Sequence, residues 1–256
     1  MENKSLIAII PARSGSKRIY RKNIRSFWGH PMIAYTIAAA LNSNLFEQVI
    51  VSTDSPLIGN IAEWYGAKYL PRPTHLATDN AALADVVLNV LDNLSAKGDK
   101  FDALCQLMPN CPLRVNSDII EHYSLFESRN SNFQISVVPY RGVYPHWALT
   151  RDEDGRGNWL FGSEYLVLSQ QLGTSYCPTG AIWWAKLPNF LQERTFYGRS
   201  FYLAPMDANR GIDIDRVEEL ELADIFVRGL WSKNNIYPLE KIATKPFPEE
   251  VLDAES

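Results

Sequence analysis

This chain is short of cysteine, of histidine and of long apolar runs, and each shortage narrows what it does. Three cysteines (Cys105, Cys111 and Cys177) in 256 residues are too few and too scattered for a disulfide framework or a zinc cluster. With no secretory pattern in the first residues, they point to free thiols in a reducing compartment, and so to the cytoplasm. The four histidines (His30, His75, His122 and His146) form no local ligand pair. No apolar run reaches the ~20 residues of a membrane span. Gly-x-x-x-x-Gly-Lys and Gly-x-Gly-x-x-Gly are both absent, which removes the ordinary P-loop and dinucleotide-binding readings. The nucleophile-elbow serine pattern is missing too. Basic residues are not in excess: 25 Lys and Arg stand against 29 Asp and Glu, a net charge of -4. That balance argues against a nucleic-acid binder.

What is present is a regular alternation. Leu6–Ile10, Val49–Thr53, Ala67–Leu70, Ala103–Met108, Gln134–Val138, Ala181–Ala185 and Phe201–Ala204 read as strands. Met32–Leu41, Pro56–Tyr65, Ala82–Leu94, Ser117–Glu127 (capped by Asn116 or Ser117) and Arg216–Leu230 read as helices. This order predicts an α/β fold, a mostly parallel sheet with helices on both faces. Residues 1–238 form one domain. A turn-rich, aromatic segment from about 140 to 178 breaks the rhythm and reads as an inserted hairpin, and 239–256 as a C-terminal arm. Asp152-Glu153-Asp154-Gly155 inside the insertion fails as a calcium loop, because Arg156 stands where an oxygen ligand is needed.

Two clusters carry the chemistry. The first strand runs into Pro11-Ala12-Arg13-Ser14-Gly15-Ser16-Lys17-Arg18, followed by Arg21-Lys22-Asn23-Ile24. Small residues and cations at the end of a buried strand suit a polyphosphate. A solvated charged connection is the plainer alternative. The second cluster is Gly211-Ile212-Asp213-Ile214-Asp215. In an extended segment Asp213 and Asp215 share one face, where a hard cation such as Mg²⁺ would relieve their repulsion. Here the plainer alternative is a helix cap from Asp215 and an exposed Asp213.

Taken in order, these segments resemble the acylneuraminate (CMP-nonulosonic acid) cytidylyltransferases, including their pseudaminic and legionaminic acid branches. The resemblance rests on Ile9–Arg18, Arg21–Ile24, Val49–Asp54, Arg72-Pro73, Leu76–Asp79, Pro112–Arg114, Pro178–Ile182 and Ile212–Asp215. It implies a Rossmann-like nucleotidyltransferase that joins CTP to a nine-carbon α-keto acid sugar, with Mg²⁺ as cofactor and no nucleic-acid or membrane partner. By the same resemblance Arg13, Lys22 and Asp215 would be catalytic. Ala12, Arg13, Ser14, Ser16, Lys22, Asn23, Arg72 and Ala81 would bind the nucleotide, with Lys17 and Arg18 as helpers. Asp213 and Asp215 would hold the metal. Met108, Cys177, Thr179 and Gly180 would face the sugar, and the insertion would pair two subunits into a homodimer. Sialic acid enzymes often carry glutamine where Met108 stands, and Arg-Pro-Asn where Cys177-Pro178-Thr179 stands. A less polar pocket suits a deoxygenated, acylamino-bearing sugar such as legionaminic or pseudaminic acid. Tyr20 stands where the pseudaminic branch typically has proline. Arg114, Arg141 and Arg210 are the candidates to pair the sugar carboxylate. The alternatives are a 3-deoxy-manno-octulosonate cytidylyltransferase, another sugar nucleotidyltransferase, or a non-catalytic nucleotide-binding protein of this fold.

Overall fold

A computed structural model describes residues 4–140, 144–162, 168–234 and 239–248. Its centre is a seven-stranded sheet built from β1 (Leu6–Pro11), β2 (Gln48–Thr53), β3 (Lys68–Pro71), β4 (Ala103–Gln106), β5 (Phe133–Pro139), β6 (Tyr176–Lys186) and β7 (Tyr202–Pro205). The order across the sheet is β7-β5-β6-β4-β1-β2-β3. Every pairing is parallel except those of β6, which runs antiparallel to both β4 and β5. All six residues of β1 are buried, because strands flank both its edges and helices cover both its faces.

The helices are α1 (Met32–Asn42), α2 (Pro56–Trp64), α3 (Leu83–Ser95), α4 (Asn116–Ser128), α5 (Leu187–Glu193) and α6 (Val217–Asn234). Side chains alternate across the pleat, so Ala8, Ile10, Val49 and Val51 pack under α1, α2 and α4, while Ile7, Ile9 and Ile50 pack under α3 and α5. Trp184 is fully buried in the first layer, stacked on Phe46 and Phe126 at 5.5 and 5.6 Å between ring centres. Its neighbour Trp183 points to the opposite layer and is only half-buried. The inserted hairpin pairs Leu149–Arg151 with Gly157–Trp159, and all six residues are exposed.

The helix caps differ from the sequence reading in two places. Asn116 and Ser117 lie inside α4, and its start is held instead by Asp118, whose Oδ2 accepts the Val115 N–H at 3.0 Å. The start of α6 is held by Glu219, whose Oε2 accepts the N–H groups of Asp215 and Arg216 at 2.6 and 2.8 Å. A glutamate on the first turn reaching back gives the same satisfaction as a side-chain cap. It leaves the Asp215 carboxylate free for other work.

The sheet order also reverses beside β1: β2 lies on one side of it and β4 on the other. Strand order reversal opens a crevice at the carboxyl ends of the strands. The loop after β1 enters that crevice, and β6 reaches it from the opposite direction through an irregular stretch between Pro178 and Trp183.

On α4, His122 is only 2% exposed. Burial, with Arg129 nearby, pushes its pKa from the ordinary 6.5 down to about 4. Between those two values the unfolded chain binds a proton that the folded chain refuses, so stability falls as pH drops through that window. The full shift corresponds to a loss on the order of 3 kcal/mol. Urea unfolding at pH 7 and pH 4.5 should show a smaller acid loss in His122→Leu than in wild type. Equal slopes in the two proteins would contradict this account.

Candidate active site

The basic loop is held by carboxylates. Ala12 is buried and continues the β1 ladder, its N–H donating to the Ser52 carbonyl at 2.9 Å. Ser14 is fixed by Asp54, which accepts from the Ser14 N–H at 2.9 Å and from its hydroxyl at 2.5 Å. Burial works to raise the Asp54 pKa, but these two bonds, with Arg72 close by, hold it below its ordinary value. Asp79 takes Arg13 on one oxygen at 2.6 Å and Lys17 on the other at 2.5 Å. Lys17 and Arg13 keep that carboxyl ionised below the usual range. Asn23 is buried and donates to the Arg13 carbonyl at 2.9 Å, closing the loop on itself. Arg21 adopts φ 51°, a left-handed turn that brings Lys22 round to face inward.

Opposite the loop stands the acid pair. Lys22 Nζ lies 2.6 Å from Asp215 Oδ1, and Arg18 lies 2.9 Å from Asp215 Oδ2. Burial alone would raise the Asp215 pKa; Lys22 and Arg18 outweigh it and hold the carboxyl below its usual range. Asp213 sits deeper, accepting from the Cys111 thiol at 2.6 Å and from the Gly180 N–H at 2.9 Å. Burial raises its pKa against those bonds, and the Asp215 charge adds to the rise. Ile214 between them is fully buried, and its N–H donates to the Asn110 carbonyl at 2.9 Å. The alternation expected of this segment is therefore present, although Ile212 is only partly buried.

The basic loop and Asp215 line one cleft of about 530 Å³, walled by Arg13, Ser16, Lys22, Asn23, Asn110 and Asp215, together with Pro109 and with Met108, which the resemblance sets toward the sugar; Asp213 is not part of this wall. Asn110 Oδ1 is buried there with no protein partner, while its Nδ2 reaches Asp215 Oδ1 at 3.3 Å. Asp213, Asp215 and Asn110 thus offer hard oxygens beside a cationic pocket, a donor set suited to Mg²⁺. Among the described residues no cluster of three or more His, Cys, Asp and Glu is placed to hold a metal ion. A cation here would need phosphate oxygens to complete its shell.

The sugar-side residues divide. The Met108 N–H donates to the Gly180 carbonyl at 3.1 Å, and Thr179 Oγ1 donates to the Gly211 carbonyl at 2.7 Å. A Cβ on Gly180 would come within 2.6 Å of Met108 Cγ and 3.2 Å of Asp213 Oδ1, so only glycine lets these three segments meet. Cys177 stands further along β6, paired across the ladder with Val138 and interacting with the Tyr140 hydroxyl.

Other expected residues lie elsewhere. Arg72 is buried against β2, donating to the Ser52 carbonyl at 2.5 Å, and burial pulls its pKa down to about 10 against the pull of Asp54. Ala81 sits in the loop before α3, where its N–H donates to the Thr78 carbonyl at 3.3 Å. Neither is part of the cleft wall. Arg114 cannot meet a substrate carboxylate: it is fully buried, with its guanidinium spent on Thr36 Oγ1 at 2.6 Å and the Ala181 carbonyl at 2.5 Å. Arg210 is 3.0 Å from Asp118, beside a different cavity. Arg141 lies outside the described residues. Asp54 and Asp79 end two of the segments that carry the resemblance, though what each would hold is not read there; Asn110 and Cys111 are given no role. Asp54 ends a buried strand and Asp79 follows a turn, so both carried a positional signal; Asn110 and Cys111 carried none.

The cytidylyltransferase family model matches residues 7–109. N-acylneuraminate cytidylyltransferase of Escherichia coli O18:K1:H7 is 36% identical over 218 residues, 85% of this chain and 51% of that enzyme, so the chain spans about half its length. Pseudaminic acid cytidylyltransferase of Campylobacter jejuni is 33% identical over 87% of this chain and 96% of its own. CMP-N,N'-diacetyllegionaminic acid synthase of Legionella pneumophila is 32% identical over 82% and 90%. Among solved structures, a CMP:2-keto-3-deoxy-manno-octonic acid synthetase complexed with CTP aligns over 88% of this chain and 99% of its own, with TM-score 0.63 and 16% identity, which shows the shared fold. The catalytic alternatives and the non-catalytic reading have less support than the three curated relatives give to one group. The chain belongs to the cytidylyltransferase family whose members make CMP-nonulosonic acids.

Proposed function

We propose that this chain couples CTP to a nine-carbon α-keto acid sugar, giving a CMP-sugar and pyrophosphate. The observation that carries this reading is the meeting of Lys22 and Asp215 at 2.6 Å in one cleft that also holds Arg13. In-line nucleotidyl transfer needs positioning and charge stabilisation, and no covalent nucleophile. The anomeric hydroxyl attacks the α-phosphorus, the bond to the β-phosphate oxygen breaks, and pyrophosphate departs. Arg13 and Lys22 neutralise the triphosphate, and Ser14, Ser16 and Asn23 shape the loop around it. Mg²⁺, held by Asp213 and Asp215 with the triphosphate, would supply further charge stabilisation at the phosphates. Lys22 and Arg18 keep Asp215 ionised, which makes it a poor base and a good cation partner. Asp213 lies deeper, its two oxygens accepting from the Cys111 thiol and the Gly180 N–H.

The sugar is of the less polar kind, a legionaminic or pseudaminic acid. Met108 lines the cleft and offers a thioether where an amide would donate and accept. Two copies work together as a homodimer in the cytoplasm, joined through the insertion, where Leu149, Leu160, Phe161 and Leu168 are each more than half exposed. An exposed apolar group of this kind marks a contact surface. No helix among the described residues is long and apolar enough to cross a membrane.

Asp215→Asn should lower kcat for CTP- and Mg²⁺-dependent pyrophosphate release by roughly 100-fold or more, with an unchanged circular dichroism spectrum; full activity would remove Asp215 from the machinery. In competition assays scored by mass spectrometry, wild type should favour legionaminic or pseudaminic acid, and Met108→Gln should move kcat/KM toward N-acetylneuraminic acid by roughly 10-fold. A preference unmoved by that change would free Met108 of any part in sugar choice. Replacing 149–161 with a Gly-Ser linker should halve the mass found by sedimentation. A dimer that survives the replacement would place the interface elsewhere.

A further inference from the structure

A second cavity, of about 270 Å³, opens on the α4 side of the sheet between that helix, the ends of β5 and β7, and the turn that leads into the acid pair. Its walls differ in kind from those of the catalytic cleft. Asp118 and His122, one helical turn apart, share the face of α4 that borders it, and Glu121 stands beside them in solvent. Tyr176 supplies an aromatic ring, about a third exposed, from the first residue of β6, and Arg210 enters from the turn.

His122 is the informative group. It is 2% exposed, and neither ring nitrogen has a protein partner. A buried imidazole without a partner calls for a ligand or water. The cavity is several times the ~30 Å³ share of one water. Burial keeps the ring neutral at physiological pH, so it presents one donor and one acceptor together.

Charge decides the class of occupant. Arg210 is already 3.0 Å from Asp118, which leaves Glu121 and Asp207 as excess negative charge. That excess opposes an anion, and the guanidinium in the same wall opposes a metal cation. Carboxylates that accept, a guanidinium that donates, a neutral imidazole that does both and an exposed tyrosine ring together fit a neutral ring bearing several hydroxyls. We propose that this cavity is a second binding site, distinct from the catalytic cleft, for a neutral polyhydroxylated ring such as a hexose unit.

The site has a path to the first. Asp207 accepts the Gly211 N–H at its carbonyl (2.9 Å) and the Asn209 N–H at its carboxylate (2.9 Å), fixing the turn that runs from this cavity to Asp213. Thr179 Oγ1 holds the Gly211 carbonyl from the sugar side.

Saturation-transfer NMR tests the proposal with glucose, N-acetylglucosamine and myo-inositol as neutral probes, and with inorganic phosphate and Mg²⁺ titrations as ionic ones. At least one neutral probe should bind saturably. Glu121→Ala and Tyr176→Ala should each weaken it tenfold or more, while Lys22→Met leaves it unchanged. Both wall variants should keep wild-type pyrophosphate release. No neutral probe binding, binding of phosphate or Mg²⁺ alone at this wall, binding that persists in both wall variants, or binding lost with Lys22→Met would each overturn it. The readout needs no turnover, so its failure and that of the CTP reaction are told apart.

Discussion

The Lys22–Asp215 ion pair is the contact on which the site depends. It joins a loop that follows the first strand to a turn that precedes the last helix, 193 residues later. Cations gathered beside a buried strand repel one another, and so do two carboxylates two residues apart. Lys22 and Arg18 supply the counter-charge of Asp215, Asp79 supplies that of Arg13 and Lys17, and the sheet reversal beside β1 brings loop and turn together. Lys22 is only 15% exposed while Asp215 is 37% exposed, so the pair lies at the mouth of the cleft, where screening keeps its own contribution to stability small. Its importance is positional.

Around that pair, side-chain bonds to carbonyls and carboxylate bonds to N–H groups set the backbone. Asn23 closes the basic loop through a carbonyl, Thr179 and Asn110 pin the turn of the acid pair through carbonyls, and Arg114 ties α1 to β6 from beneath. Arg114 illustrates why a cation in the sequence is not by itself a ligand for substrate. Its two terminal nitrogens are taken by a strand carbonyl and a helix hydroxyl, and full burial keeps the rest of the guanidinium from any substrate.

Much of this was legible in the residues. Short continuous runs such as Val49–Thr53 gave strands within a residue or two, because a strand buried on both faces shows no alternation and is bounded by turn residues. The basic loop and the Asp213–Asp215 pair were visible because small residues and charges in fixed spacing have few other uses. Less visible was everything set by long-range pairing. β6 begins at Tyr176, five residues before its apolar stretch, since Tyr176, Cys177 and Pro178 are drawn into the ladder by β5 and by nothing in their own pattern. The α6 cap fell to Glu219 because the Asp215 side chain is claimed by Lys22 and Arg18, which no local rule reveals. The partners of Asp54 and Asp79 were hidden for the same reason: they arrive from 40 and 66 residues away.

Asp79, bridging Arg13 and Lys17, gives the loop a temporary anion of its own. A triphosphate entering the cleft would trade places with that carboxylate, so binding becomes an exchange of one ionic contact for another. Few dissolved ions are then displaced, and nucleotide affinity should vary with ionic strength far less steeply than a bare count of cations implies.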